Sequence, residues 1–195
     1  MTSTSGTYGT TLKLTTSGGS GTGAVSYSTS SAGCSITNTD SLTVTGAITC
    51  SVTATKAADS NYNSASSSAT NVVFATRSIT ITAANKSATY TGSTVSVSNS
   101  YTISSGTLVG SDTFTSLTYT YTSASPSYSS TTAPTAAGTY TITPSAASGT
   151  GSSNYTITYE TATLTVSATS QSTLTLTSTS GTYGTTLKLT TSGGS

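Results

Sequence analysis

The segment Leu117-Thr-Tyr-Thr-Tyr121 places a large apolar or aromatic side chain at every second position, with threonine between. Successive side chains of a β-strand point to opposite faces, so this spacing separates an apolar face from a hydroxyl face. Gly, Ser and Asn clusters separate such segments, and no stretch shows a sustained helical period. The sequence therefore predicts an all-β chain of short strands arranged as sandwiches. The same alternation recurs in Leu12-Lys-Leu14, Val25-Ser-Tyr27, Leu42-Thr-Val44, Cys50-Ser-Val52, Ile79-Thr-Ile81, Tyr140-Thr-Ile142 and Leu174-Thr-Leu176.

A long stretch, TSTSGTYGTTLKLTTSGGS, occurs twice without change, as Thr2–Ser20 and as Thr177–Ser195. A repeat of this fidelity indicates one period of a longer array. We expect a first module at residues 1–75, a second at residues 76–167, and a linker with the first strands of the next copy at residues 168–195. The first module is expected to lack its own leading strand. No signal-peptide pattern follows Met1, which is expected to be the start of a fragment.

Composition excludes several classes of function. Charged residues make up 5% of the chain, histidine is absent and the formal net charge is +1. Nucleic-acid binding requires clustered basic side chains, and membrane insertion requires about 20 consecutive apolar residues, so we expect neither. The acidic residues fall in four separate segments, at Asp40, Asp59, Asp112 and Glu160. Without histidine they offer no general base, so we expect no enzyme, no catalytic residues and no cofactor.

Cys34 and Cys50 are the two cysteines of the chain. Two thiols without histidine cannot complete a tetrahedral zinc site, so a structural disulfide in an exported protein is the favoured interpretation. Closing a loop of about 15 residues stabilises a domain by roughly 3 kcal/mol in the chain-entropy model.

Five motifs follow one another in the second module: Ser78-Ile-Thr-Ile81, Gly110-Ser-Asp-Thr-Phe114, Ala137-Gly-Thr-Tyr140, Asn154-Tyr-Thr-Ile157 and Ala162-Thr-Leu-Thr-Val166. Over most of residues 78–166 they resemble the MBG (YDG-type) Ig-like module of large bacterial surface proteins. The first module contains motifs that include Gly6-Thr-Tyr-Gly9, Gly33-Cys34 and Thr53–Tyr62, and it resembles a second class of bacterial Ig-like repeat. Both resemblances imply an extracellular, cell-surface or secreted protein of the adhesin type, without catalytic residues.

A few polar segments invite sharper hypotheses. The segment Asp59-Ser-Asn61-Tyr-Asn63 is the one calcium-like loop, but Asx turns are the favoured interpretation, and no metal site is predicted. Lys86 and Glu160 are the one pair suited to an isopeptide crosslink, against which we expect a solvated lysine. The apolar positions change parity after Tyr159, which predicts a tight connection or bulge at Glu160–Thr161.

Tyr62 and Tyr128 lie in loop-like polar stretches and are the candidate ligand-facing aromatic residues. The leading functional hypothesis is a structural spacer that projects a distal binding region and contacts neighbouring repeats of the same protein. The alternatives are a carbohydrate-binding adhesin module, a mucin-like unfolded stalk and, because of the threonine rows, an ice-binding surface. Strand twist argues against the last of these. We also expect head-to-tail self-association through the interrupted module.

Overall fold

The computed structural model describes residues 1–97 and 100–194 of the chain. Ser98 and Asn99, inside the predicted second module, and Ser195, the last residue of the repeated stretch, lie outside the described residues. The described chain consists of short strands and one 3-10 helix, which confirms the all-β prediction. Among the described residues, each sheet is formed by strands from one region only: residues before Thr76, residues 77–167, or the tail after residue 167.

The first half, residues 1–75, contains two sheets that face each other. The larger has the order β1-β8-β6-β3, with β7 paired to β6, and the smaller has the order β2-β5-β4. Strand β1 pairs in parallel with β8, whereas the remaining pairs are antiparallel. The strands are β1 (Ser5–Thr7), β2 (Leu12–Lys13), β3 (Val25–Thr29), β4 (Cys34–Thr37), β5 (Ser41–Val44), β6 (Thr49–Lys56), β7 (Ala65–Ser66) and β8 (Thr70–Ala75).

The core of the first half lies between these two sheets. Its buried side chains are Leu14, Leu42, Cys50, Val52, Val72 and Phe74. The Cys34–Cys50 disulfide joins β4 of the smaller sheet to β6 of the larger, with Cα atoms 6.0 Å apart. This confirms the predicted disulfide and shows that it crosses the sandwich.

The second half, residues 77–167, also packs two sheets face to face. One has the order β10-β16-β14-β12-β13 and the other the order β11-β9-β15. Buried side chains from both sheets, including Ile81, Tyr140, Ile142 and Leu164, fill the space between them. The strands are β9 (Arg77–Ala83), β10 (Lys86–Thr89), β11 (Tyr101–Ser105), β12 (Ser116–Ser123), β13 (Tyr128–Ser130), β14 (Gly138–Ser148), β15 (Tyr155–Glu160) and β16 (Ala162–Ser167), with the 3-10 helix at Ser152–Asn154.

Thr161 is the single residue between β15 and β16, and the chain changes sheet there. Tyr155 and Ile157 face the core from one sheet, and Ala162, Leu164 and Val166 face it from the other. The predicted connection at Glu160–Thr161 is therefore confirmed, and the parity change follows from the crossing.

The tail after residue 167 forms one small antiparallel pair, β17 (Thr175–Leu176) with β18 (Thr191–Ser192). Its large apolar side chains are exposed, among them Leu174, Tyr183 and Leu189.

Candidate functional site

The candidate functional site is the junction between the two halves. Strands β8 and β9 are separated by Thr76 alone, so the halves follow one another with no flexible linker. Tyr8 belongs to the first half, yet its side chain is 5% exposed and lies in the core cluster of the second half. The backbone N–H of Tyr8 donates to the carbonyl of Ala75, which fixes its position beside the end of β8.

One carboxylate binds two tyrosine hydroxyls across this junction. The hydroxyl of Tyr8 donates to Oδ2 of Asp112 at 3.0 Å, and the hydroxyl of Tyr155 donates to the same oxygen at 2.7 Å. The two rings meet edge to face with centroids 5.8 Å apart, a geometry that aromatic pairs favour. The first half is thereby tied to the second by a charge-assisted hydrogen bond and an aromatic contact.

Both tyrosine hydroxyls must be protonated to donate to Asp112, and the raised pKa values of the two tyrosines are consistent with this. Burial, followed by the hydrogen bond to Asp112, raises the pKa of Tyr155 to about 12. Burial also raises the pKa of Tyr8, and the Asp112 carboxylate acts in the same direction. Both phenols therefore remain neutral donors over the physiological pH range.

The loops of the second half hold Asp112 in place. The N–H of Asp112 donates to the carbonyl of Val109, and the N–H of Val109 donates to the Tyr155 hydroxyl at 2.7 Å. Gly151 precedes the 3-10 helix with a φ of 73°, and a Cβ atom there would overlap the Asp112 carboxylate. A glycine is therefore required at this position, both for the backbone angle and for the approach of the acid.

Further contacts cross the junction beside this acid. The N–H of Ala47 in the first half donates to Oδ1 of Asn154 at 3.0 Å, and the hydroxyl of the connecting residue Thr76 lies 2.5 Å from that of Thr156. Gly9 has a φ of 80°, and a Cβ atom there would overlap the Val109 side chain. In addition to Tyr8, the first half therefore contacts the second at Gly9 and Ala47.

The tyrosines predicted to face a ligand differ in exposure. Tyr62 is 51% exposed, as expected. Tyr128 is half-buried: its ring packs edge to face on Tyr140, and its hydroxyl donates to the Thr132 carbonyl. Tyr128 is therefore less exposed than Tyr62, because its ring packs on a core aromatic residue that its polar neighbours in sequence do not reveal. The two tyrosines do not share a site.

The loop after Asp59 forms the Asx turn that its sequence favoured. Oδ1 of Asp59 accepts the N–H groups of Asn61 and Tyr62, and Oδ2 accepts that of Thr22. These hydrogen bonds, from Asn61 first, lower the pKa of Asp59. Local backbone groups thus satisfy this carboxylate. Among the described residues, no group of three acidic or cysteine side chains is placed to hold a metal ion.

Lys86 and Glu160 have separate partners. The Lys86 ammonium donates to the Ser96 carbonyl, and Glu160 accepts the hydroxyls of Thr82 and Ser104. Both charged residues are exposed, as expected for solvated groups. The one ion pair in the described part of the chain is Lys13–Asp40, at 3.7 Å.

A groove of about 610 Å³ lies at the end of the second half that is remote from the junction, where the tail departs. Tyr90, 42% exposed, lines it together with Ala136, Ala137 and Gln171. No helix of the described chain is long and apolar enough to cross a lipid bilayer.

The second half has a known counterpart. Residues 79–165 match the family model of the MBG domain (YGX type). This confirms the MBG resemblance of the second half, although the matching type is YGX rather than the expected YDG. No curated protein and no solved structure matches the chain.

The junction residues themselves were not predicted as a site. Tyr8, Asp112, Asn154 and Tyr155 all occur in motifs that carry the resemblance, but the sequence assigned them no contact. Two features of the sequence could have pointed to these residues. One is the isolated acid Asp112 in a chain with very few charges, and the other is the tyrosine between Gly6 and Gly9.

Proposed function

We propose that this chain is a spacer segment of a repetitive bacterial surface protein, in which it holds a distal binding region away from the cell. Residues 1–75 and 76–167 act as two modules of one period, and residues 168–195 lead into the next copy. The partners of each module are the neighbouring repeats of the same protein.

The observation that carries this proposal is the burial of Tyr8 in the core of the following half. A spacer has to resist bending, and a side chain shared between two cores couples their orientations. One further contact, from the Ala47 N–H to the Asn154 side chain, opposes rotation about the connection. A linker of one residue leaves little freedom for independent motion.

The MBG match supports the cellular setting of this proposal. MBG domains are found in repetitive bacterial surface proteins and are not catalytic. The Cys34–Cys50 disulfide is also typical of exported proteins, since intracellular thiols are kept reduced.

Backbone 15N relaxation of the full chain tests the rigidity. The proposal predicts one rotational correlation time for both halves, whereas Tyr8→Ala should give each half a shorter value of its own. Tyr183→Ala is the matched control, because Tyr183 is the same residue of the second copy and is fully exposed. Independent tumbling of the two halves in the unaltered chain would exclude a stiff spacer.

Surface location needs a separate experiment. Antibodies raised against residues 1–195 should label intact cells of the source bacterium, and protease treatment of whole cells should remove the signal. Labelling that appears only after the cells are broken would refute the extracellular assignment.

Carbohydrate binding is the second candidate, favoured by exposed Tyr62 and by Tyr90 at the edge of its groove. Aromatic rings stack on the apolar faces of sugars. A glycan array probed with the full chain should then give signals that Tyr90→Ala or Tyr62→Ala removes. An array without signals favours the spacer alone.

A further inference from the structure

The two halves share one plan in their larger sheets, so residues at corresponding places can be compared. The larger sheet of the first half has the order β1-β8-β6-β3, and that of the second half begins β10-β16-β14-β12. In both sheets the first pair of strands is parallel and the next two pairs are antiparallel. Strand β10 therefore corresponds to β1, and strand β14 corresponds to β6.

Tyr90 occupies the place in the second half that Tyr8 occupies in the first. Tyr8 directly follows β1, and its N–H donates to the carbonyl of Ala75, the last residue of β8. Tyr90 directly follows β10, and its N–H donates to the carbonyl of Ser167, the last residue of β16, at 2.8 Å. Each tyrosine thus lies at the end of its half from which the chain continues.

A second residue of the junction has a counterpart beside Tyr90. Ala47 lies two residues before β6, and it is the residue of the first half whose N–H donates to Asn154. Ala136 lies two residues before β14, and it lines the groove beside Tyr90. Ala168 lines the same groove, so the chain toward the next copy leaves the second half at this point.

The residues of the second half that receive the first half also have counterparts. Asn154 and Tyr155 receive the first half through a hydrogen bond and an edge-to-face ring contact. They end a Ser-Asn-Tyr tripeptide that follows β14 in the chain. The same tripeptide follows β6, where it ends in Asn61 and Tyr62. The first half therefore carries the same receiving pair, in the loop before β7.

A carboxylate beside a loop glycine is a further feature that both halves share at this end. A Cβ atom at Gly151 would overlap the Asp112 carboxylate, and one at Gly21 would overlap that of Asp59. The Asp59 carboxylate also accepts two N–H groups of the tripeptide, so it lies against it. Strand β6 starts beside the junction and runs away from it, which places this loop at the other end of the first half.

We propose that, in the array, the Tyr90 end of one period binds the Tyr62 end of the first half that follows it. Tyr90 packs on Tyr62 in the manner in which Tyr8 packs on Tyr155, an aromatic contact that adds to the burial of area. The occupant is the next copy of the first half, which residues 177–195 begin with an unchanged sequence. This inference rests on the proposed spacer function, and it gives all modules one kind of joint.

Distances between spin labels in a chain of two periods test this proposal. The chain consists of residues 1–176 followed by residues 2–195, with labels at Thr143→Cys of the first period and Ser28→Cys of the second. Both positions are exposed, and they lie in the two halves that meet at the new joint. A docked joint predicts one narrow distance distribution, and Tyr90→Ala in the first period should at least double its width. A distribution that is already broad in the unaltered chain overturns the proposal.

Tyr90→Ala in the second period is the matched control, because no complete first half follows that copy. It should leave the distribution unchanged, and equal broadening by both substitutions would contradict docking at the joint. The same two labels within one period, across the Thr76 junction, separate this proposal from the spacer function. They should give a narrow distribution whether or not the periods dock. Breadth across Thr76 refutes the stiff spacer, whereas breadth between periods alone refutes only the docking of Tyr90.

Discussion

The two halves of the chain reach a folded core by different means. Among the described residues, the first half buries six side chains in its core cluster, with Phe74 as the one aromatic ring, and carries the disulfide. The second half has no cysteine, and fifteen buried side chains form its cluster, six of them aromatic. One of the six, Tyr8, comes from the first half.

This difference shows how a covalent bond substitutes for apolar area. A fully buried large apolar side chain contributes about 1.5–3 kcal/mol, and small domains with few of them need another source of stability. The first half obtains it from the Cys34–Cys50 bond between its two sheets. The second half obtains it from a larger apolar core that includes tyrosine rings packed edge to face, whose hydroxyls it must also satisfy.

Removing the disulfide should have the largest effect on stability, and it should destabilise the first half only. Cys34→Ala with Cys50→Ala should lower the free energy of unfolding of the first half by roughly 3 kcal/mol, as expected for a loop of this length. Hydrogen exchange at β6 reports the first half, and β14 serves as the internal control. An equal loss of protection in both strands would show that the halves unfold as one unit.

A substitution at the junction should have the second-largest effect on stability. Gly9→Ala places a side chain at a φ of 80° and against Val109, so it should cost about 1–2 kcal/mol in backbone strain together with the displacement of Val109. Chemical unfolding of the full chain measures this loss. Gly184→Ala has the same φ with no atom within 4 Å, and its effect on both halves should be negligible. Equal effects of the two substitutions would refute the packing of Gly9 on the second half.

Two buried tyrosines of the second half should differ in how much their hydroxyls contribute to stability, with a smaller effect than at Gly9. Tyr140 is fully buried, and its hydroxyl donates to the Ala136 carbonyl, so Tyr140→Phe should destabilise this half by about 1 kcal/mol. The Tyr119 hydroxyl is buried and has no hydrogen-bond partner among the described residues, so Tyr119→Phe should be neutral or stabilising. Thermal unfolding of the two variants distinguishes them. A loss in both variants would mean that Tyr119 donates a hydrogen bond in solution.

At neutral pH the smallest effect should come from tyrosine ionisation, because its pH dependence is confined to alkaline solution. The pKa of Tyr155 is raised to about 12, whereas a tyrosine in the unfolded chain ionises near pH 10. The stabilisation from this group is therefore complete below about pH 10 and is lost as the pH rises toward 12. Urea unfolding at successive pH values should show this decline, with a shallower slope for Tyr155→Phe. Stability that rises with pH over this range would contradict the Asp112 arrangement.

Much of the fold could be predicted because it depends on local pattern. Alternation in Leu117–Tyr121 and Tyr140–Ile142 identifies strands without knowledge of their partners, and the parity change after Tyr159 locates the crossing at Thr161. The disulfide could be predicted because only two cysteines exist to pair.

The junction could not be predicted because its contacts join residues far apart in the sequence. Tyr8 and Asp112 are more than one hundred positions apart, and neither has a neighbour that reveals the other. The partial burial of Tyr128 could not be predicted for a similar reason, since the ring on which it packs, Tyr140, belongs to another strand. Residues 177–190 show most directly that long-range contacts cannot be predicted from local sequence. They have the sequence of residues 2–15 and form the same turn, yet their apolar side chains are exposed.

The parallel pairing of the terminal strands has a mechanical consequence. In the second half, β9 enters from the junction and pairs in parallel with β15, while β10 pairs in parallel with β16 near the exit. In the first half, β1 and β8 are paired in the same way. A pull on the two ends of either half therefore slides neighbouring strands in opposite directions and loads their hydrogen bonds together, in shear. The hydrogen bonds between these paired strands therefore have to break together under tension rather than one at a time.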